Sequence, residues 1–336
     1  MAHTQIRSRQ PGSLPLQSSH YFASLPPSFK YQLDNILSPI PLNPNQTQSM
    51  NSTVKPPSRF SQAAQTRSPR TVWVCTALAL AFIASPGTRA AEIKPLKALL
   101  VIGGCCHDYA TQKDILKKGI EARANAVVDI CYVAEDNTHP KLPIYGNPDY
   151  AAGYDVVIHD ECAADINEQA VVEGVLKPHR EGIPGVNLHC AMHCYRIGKP
   201  ADPVTLGTPH GLWFEYLGLQ SSGHGAQQPI AITFTDKDSP IVKGLENWTT
   251  INEELYNNIK IFDATHPLAR GKQGKDETCV AWTNLYMGKT RVFSTTIGHN
   301  NATVQDPRYL ELVTNGLLWA CDKLGPDGKA LPGYGK

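Results

Sequence analysis

The chain has 336 residues, with 31 Lys and Arg against 30 Asp and Glu, a formal net charge of +1, and 41% hydrophobic residues. It carries no basic stripe, zinc-finger spacing or aromatic ladder after residue 91, which argues against a nucleic-acid partner. Composition changes sharply near residue 91, so only the later part is expected to build a core.

Residues 1–70 are rich in Ser, Pro, Gln and Asn, hold one acidic residue, Asp34, and show no apolar period, which predicts a disordered leader. Residues 71–90 read as a secretory signal peptide. The apolar run Val72 to Ala84 follows Arg67 and Arg70, and Ser85-Pro86-Gly87-Thr88-Arg89-Ala90 supplies a breaker and small residues before a cut after Ala90. At 13 residues the run is shorter than the roughly 20 that a spanning helix needs, so no stable membrane span is expected after cleavage. The protein is therefore expected outside the cytoplasm, periplasmic or extracellular. Met50 makes a better start for such a signal than Met1, which would leave residues 1–49 untranslated; N-terminal sequencing of the precursor that finds Met1 excludes this. Cleavage removes 8 of the 31 basic and 1 of the 30 acidic residues, leaving 23 against 29 and a net charge of −6. Eight of nine cysteines remain, in a compartment that permits disulfides, and their pairing stays open. Cys131, Cys279 and Cys321 read as small buried apolar residues.

Along the mature part, Lys97 to Gly104 is a buried strand ending in a Gly-Gly turn, and Asp108 to Ala124 a helix with Ile115, Leu116 and Ile120 on one face. Strands follow at Val127 to Ala134 and Tyr154 to His159. A helix over Asn167 to Lys177, capped by Asn167, turns Val171, Val172 and Val175 inward, and Ile183 to His189 is a fourth strand. This alternation predicts an α/β fold with a doubly wound, mainly parallel sheet. Further strands are expected at Pro229 to Thr235, Cys279 to Leu285 and Arg291 to Ile297, then a helix from Pro307 to Lys323 and a loose tail over 326–336. No internal repeat is present.

Several polar residues stand where strands should end. His107 and Asp108 follow the first strand, His189 and Cys190 the fourth, and His299 the late one, while Glu253-Glu254-Leu255-Tyr256 falls in an irregular middle. In a doubly wound fold such ends share one rim, so the pattern points to a site.

The stretches GGCCHDY (103–109), GVNLHCAMHCYR (185–196), SSGHG (221–225), EELYN (253–257), VAWTNLYMGKTRVFSTTIGHN (280–300) and NGLLWA (315–320), in this order, resemble the ThuA-like family, named for trehalose utilisation. The likeness runs from Lys97 to Leu324, within a domain taken as 91–325. It implies a fold similar to class I glutamine amidotransferases, a flavodoxin-like arrangement, and a link to the catabolism of sugars, including oxidised keto-sugars. One departure is visible: relatives often carry His-Pro where this chain has Ser239-Pro240, and Ser239 is kept out of the site.

Three chemistries remain open for an enzyme acting on a small-molecule carbohydrate. In the first, His107, His189, Glu254 and His299 act as acid–base groups of a lyase or hydrolase, with Asp108, His193, His224 and Tyr256 orienting substrate. In the second, the same imidazoles and carboxylate hold a divalent metal, although no HExxH motif is present; His189 and His193 would share a helix face. In the third, Cys190 is the nucleophile of a hydrolase, on a turn without the glycines of a sharp elbow. A non-catalytic carbohydrate- or partner-binding module is the alternative, with Tyr145, Trp213, Tyr216, Trp248 and Trp282 as stacking platforms, although Trp282 and Trp319 suit the core.

Overall fold

The computed structural model describes residues 93–336; the leader, the export signal and the Met50 start lie outside the described residues. Nine strands form one sheet in the order β2-β1-β3-β4-β9-β8-β7-β5-β6. In chain order the larger elements are β1 Leu96–Gly104, α1 Tyr109–Glu121, β2 Ala126–Val133, β3 Val156–Cys162, α2 Gln169–Glu181 and β4 Gly185–Leu188. A 3-10 turn at His189–His193 follows, then α3 Leu212–Leu217, β5 Leu219–Phe234, β6 Trp248–Ile261 and β7 Thr265–Gln273. β8 Asp276–Tyr286, β9 Thr290–Thr295, α4 Asn301–Val304 and α5 Pro307–Ala320 complete the chain.

The apolar run of β1 divides itself between two cores. Leu96, Ala98, Leu100 and Ile102 point to the side covered by α1 and α5, where they meet Leu116, Ile120, Leu312 and Leu317. Leu99 and Val101 point to the other side, against Val172, Val175 and Leu176 of α2 and Trp213 and Tyr216 of α3. Such two-sided burial explains why β1 and β3 read as continuous apolar runs rather than alternating ones. The α2 cap differs from expectation: Glu168, not Asn167, occupies the cap position and makes no side-chain cap bond, while Gly182 closes the helix at φ 113°.

The mainly parallel sheet expected from the first half is corrected by the second. β2, β1, β3, β4 and β9 pair in parallel, but β9, β8, β7, β5 and β6 pair antiparallel, so the sheet is mixed. The connections give the reason: β7 turns into β8 through Gly274 at φ 59°, and β8 into β9 through Met287 and Gly288 at φ 51° and 70°. Tight turns with positive φ join antiparallel neighbours, whereas parallel ones need a long crossover. The EELYN stretch, read as irregular, lies in β6. The β5–β6 ribbon shifts register after Gln220, Ser221, His224 and Pro229, and these bulges bend it and break the two-residue period.

The last residues, read as a loose tail, are tied to the domain. Leu324 bridges to Ala330, Gly335 bridges to Ala124, and the Asn125 amide donates to the Tyr334 carbonyl at 2.8 Å. No helix among the described residues is long and apolar enough to cross a membrane.

On the α2 side a polar chain is sealed in the core. His179 donates from Nδ1 to the Ile183 carbonyl (2.8 Å) and its Nε2 meets His159 Nε2 (3.1 Å). His159 Nδ1 in turn faces Glu161 (2.9 Å), which also accepts from the Tyr195 hydroxyl (2.6 Å). Burial first, and His159 second, lower the His179 pKa to about 3. An unfolded chain protonates this side chain near pH 6.5, so its contribution is complete above that value and is lost as pH falls toward about 3. Urea unfolding from neutral pH to about pH 4 is expected to show this residue removing about 1.4 kcal/mol per pH unit, with a flatter acid limb in His179→Gln. A second expectation concerns α5: a Cβ on Gly316 would meet Phe293 Cδ1 at 2.3 Å, so Gly316→Ala should cost about 1–3 kcal/mol of unfolding free energy.

Candidate functional site

Because β1, β4 and β9 run parallel, their carboxyl ends lie on one rim, and the loops leaving them carry His107, His189 and His299. The exit from β1 is a glycine turn: Gly104 sits at φ 98°, and a Cβ there would meet the Cys162 carbonyl at 2.3 Å. β4 breaks directly into its 3-10 turn, where His189 is held at φ 38°, a left-handed conformation uncommon for a side-chain-bearing residue. The bent β5–β6 ribbon brings Glu254 to the same place. This residue, expected in an irregular stretch, is 7% exposed within a strand.

Ligating atoms of His107, His189, Glu254 and His299 all lie within 4.8 Å of one another. His299 Nδ1 is 3.0 Å from His107 Nε2 and 3.4 Å from Glu254 Oε1, while His189 Nε2 is 3.5 Å from Glu254 Oε2. The His189 ring is oriented by its other nitrogen, which donates to the Thr296 carbonyl at 2.7 Å. Burial alone would raise the Glu254 pKa, but the imidazoles of His189 and His299 beside it hold it far below the usual carboxylate range. The carboxylate of Glu254, accepting from His299, raises the His299 pKa in turn. His107 falls to about 2, by burial and then by repulsion from His189 and His299. The cluster thus favours a charged Glu254 and an uncharged His107, and Glu254 favours the charged form of His299.

The expected orienting residues divide. His224 Nε2 lies 3.6 Å from Glu254, at the exposed edge of the cluster. His193 is not part of it: its Nε2 meets the Ser221 hydroxyl at 3.0 Å, and its ring stacks on Tyr256 at 4.1 Å and 10°. Tyr256 is buried, with its ring 5.0 Å from that of His189, and forms a wall. Asp108 caps α1 by accepting from the Thr111 amide (3.2 Å) and also accepts from Asn301 (2.7 Å). Ser239 sits in the turn after β5, its amide bonded to the Asp236 carbonyl.

Three supporting residues were not visible in the sequence pattern. Glu253 is fully buried and its two oxygens accept from the backbone N–H groups of Gly298 (3.3 Å), His299 (2.9 Å) and Asn300 (3.0 Å). Gln112 of α1 donates to the His299 carbonyl at 3.0 Å, and the Gln227 amide reaches His299 Nε2 at 2.8 Å and Glu254 at 3.3 Å. Glu253 adjoins a residue that was singled out, but its partner is backbone, which no side-chain motif announces.

A cavity of about 620 Å³ opens on the cluster through His107 and His299, with Tyr132, Asp136 and Asn300 along its sides. Its volume falls in the roughly 300–1,000 Å³ range of small-molecule sites. The nucleophile reading of Cys190 loses its geometric support: the thiol is buried, and its hydrogen bond to Cys162 together with burial raises its pKa well above the ordinary thiol range. The stacking platforms also fail. Trp213, Tyr216 and Trp282 are sealed in the core, Trp248 lies under Arg308, and Tyr145 is half-buried against Tyr195. Among the remaining cysteines Cys105 and Cys106 pair with each other, Cys279 is buried, and Cys131 and Cys321 are half-buried.

A protein-family model for ThuA, described as trehalose utilisation, matches residues 97–320. No curated protein matches the chain. Among solved structures, a ThuA-like protein from Parabacteroides merdae superimposes with a TM-score of 0.51 at 20% identity, covering 68% of this chain and 90% of its own. A ThuA-like protein from Bacteroides uniformis gives 0.48 at 15% identity, over 70% of this chain and 95% of its own. A GMP synthase protein from Thermoplasma acidophilum gives 0.40 at 11% identity, over 68% and 94%. The first of these likenesses establishes the fold of the domain.

Removing the Glu253 carboxylate leaves one buried and two part-buried N–H groups short of an acceptor, the buried one worth about 1–3 kcal/mol and the others less. Glu253→Ala is expected to lose about 2–5 kcal/mol in denaturant unfolding and to speed amide exchange at His299 and Asn300, with Glu253→Gln intermediate.

Proposed function

The chain belongs to the ThuA family of trehalose utilisation, and we propose that it is an exported enzyme of carbohydrate catabolism acting on a sugar or keto-sugar at the His107–His189–Glu254–His299 cluster. The supporting observation is convergence: four side chains able to transfer protons, from four separate segments, meet beside a polar cavity of small-molecule size. Cleaving a glycosidic bond, by hydrolysis or by elimination from a keto-sugar, needs a proton delivered to the leaving oxygen and another withdrawn from water or carbon. His107 and His299 line the cavity and can reach a substrate there, with Glu254 and His189 behind them. Asp136 and Asn300 offer partners for sugar hydroxyls, and Tyr132 an aromatic edge. A purely binding module is the weaker reading, because the large aromatic rings are spent in the core.

Incubating the purified protein with a panel of disaccharides and their keto forms, with and without divalent metals, is expected to yield cleaved products by mass spectrometry. His299→Ala and Glu254→Gln should each lower the rate about 100-fold or more, while Cys190→Ala should leave it close to wild type. A folded protein that leaves the whole panel intact overturns the reading. For export, the protein recovered outside the cytoplasm is expected to begin at Ala91; recovery only in the cytoplasm with an intact leader removes that part.

A further inference from the structure

We propose that the His107–His189–Glu254–His299 cluster is the binding site of a divalent transition metal of the zinc class, with its free coordination position facing the cavity. This rests on the reading that the cluster is the working centre, and deepens it by naming the cofactor.

Spacing is the first argument. Ligand bonds of about 2.0–2.2 Å around a tetrahedral ion put neighbouring donor atoms roughly 3.3–3.6 Å apart, and a higher coordination number brings them to about 3.0 Å. Three of the contacts here are 3.0, 3.4 and 3.5 Å, which match edges of such a polyhedron, and every pair of donors lies within 4.8 Å. Orientation is the second. His189 gives its Nδ1 proton to the Thr296 carbonyl, which turns the bare Nε2 inward, and that atom is buried with no hydrogen-bond partner. A backbone carbonyl on the far nitrogen is the usual outer partner of a metal-bound imidazole. Gln227 stands 2.8 Å from the far nitrogen of His299 through its amide nitrogen, and a flip of that amide would let its oxygen accept from the ring when Nδ1 binds the ion.

Access is the third argument. Catalytic sites keep a position for water or substrate, and the cavity meets the cluster at His107 and His299. A bound ion would polarise a sugar oxygen or lower the pKa of its own water, and would neutralise the Glu254 charge. Imidazole and carboxylate donors favour zinc, manganese or iron over magnesium or calcium. Cys105, Cys106 and Cys162 become a rival, softer set of sulfurs only when the Cys105–Cys106 disulfide is reduced, so the test must separate nitrogen from sulfur ligation.

The purified full chain is stripped with a chelator and titrated with zinc, against a chromophoric competitor, and with cobalt(II), followed by its visible ligand-field bands. One ion per chain is expected, with an X-ray absorption spectrum that shows imidazole and oxygen neighbours and no sulfur. His189→Ala and Glu254→Ala should each weaken zinc binding about 100-fold or more, beyond what loss of an outer partner does, and Thr296 keeps its carbonyl throughout. His107→Ala, at the half-exposed rim, serves where those variants do not fold, as judged by circular dichroism. Cys162→Ser should leave affinity and spectrum unchanged. No binding by the folded chain, a sulfur shell, or binding indifferent to the three variants each overturns the proposal. None of these readouts needs a sugar: metal bound without turnover would sink the proposed activity alone, and turnover in metal-free protein would sink the metal alone.

Discussion

Three backbone N–H groups in the loop after β9 end on one buried carboxylate, and the geometry of the site depends on that junction. Glu253 belongs to β6, the far edge of the sheet, while Gly298, His299 and Asn300 belong to the rim where the parallel strands finish. Hydrogen bonds to a carboxylate are shorter and stronger than neutral ones, and three of them fix both a loop and the ribbon opposite. Once Glu253 is bound, Glu254 has little freedom. It faces His189 and His299 because the residue before it is already committed.

The ribbon reaches the rim because it is not a regular pair of strands. Its register breaks between Gln220 and Gln227 coincide with the polar stretch Ser221 to Gly225, and each break adds local twist. The same breaks aim His224 and Gln227 at Glu254. On the other side, the parallel half supplies rigidity: β1 and β3 are buried on both faces, so the points at which they release the chain are held by packing rather than by the loops themselves. The sharpest release is at His189, whose strained backbone places an imidazole where a strand-to-helix turn lifts a reactive group above the sheet. Cys190, one residue on, is carried into the core instead. A local rule is broken here, at the site, as is expected where function competes with stability.

Much of this was legible from residues alone. The apolar runs of β1, β3 and β4 and the amphipathic faces of α1 and α2 appear at their places because burial on two faces or one leaves a periodic mark in the chain. His107, His189 and His299 were found because strand ends announce themselves, and parallel strands end on a common rim. The mixed sheet was missed because antiparallel pairing depends on turns such as Met287-Gly288, whose signal is short, and because bulges erase the alternation of β5.

The sequence by itself determined the six family motifs in order and the layered α/β half, and it named all four clustered side chains as candidates, three of them from strand ends, where local spacing and local burial leave their mark. Only the tertiary structure decided that Glu254 is buried rather than solvated, that His193 turns away to Ser221, and that Glu253 is the anchor. Those outcomes come from contacts between segments far apart in the chain, chiefly a carboxylate meeting backbone amides. A backbone amide is present at every position except proline, so no residue type marks the one that will be chosen.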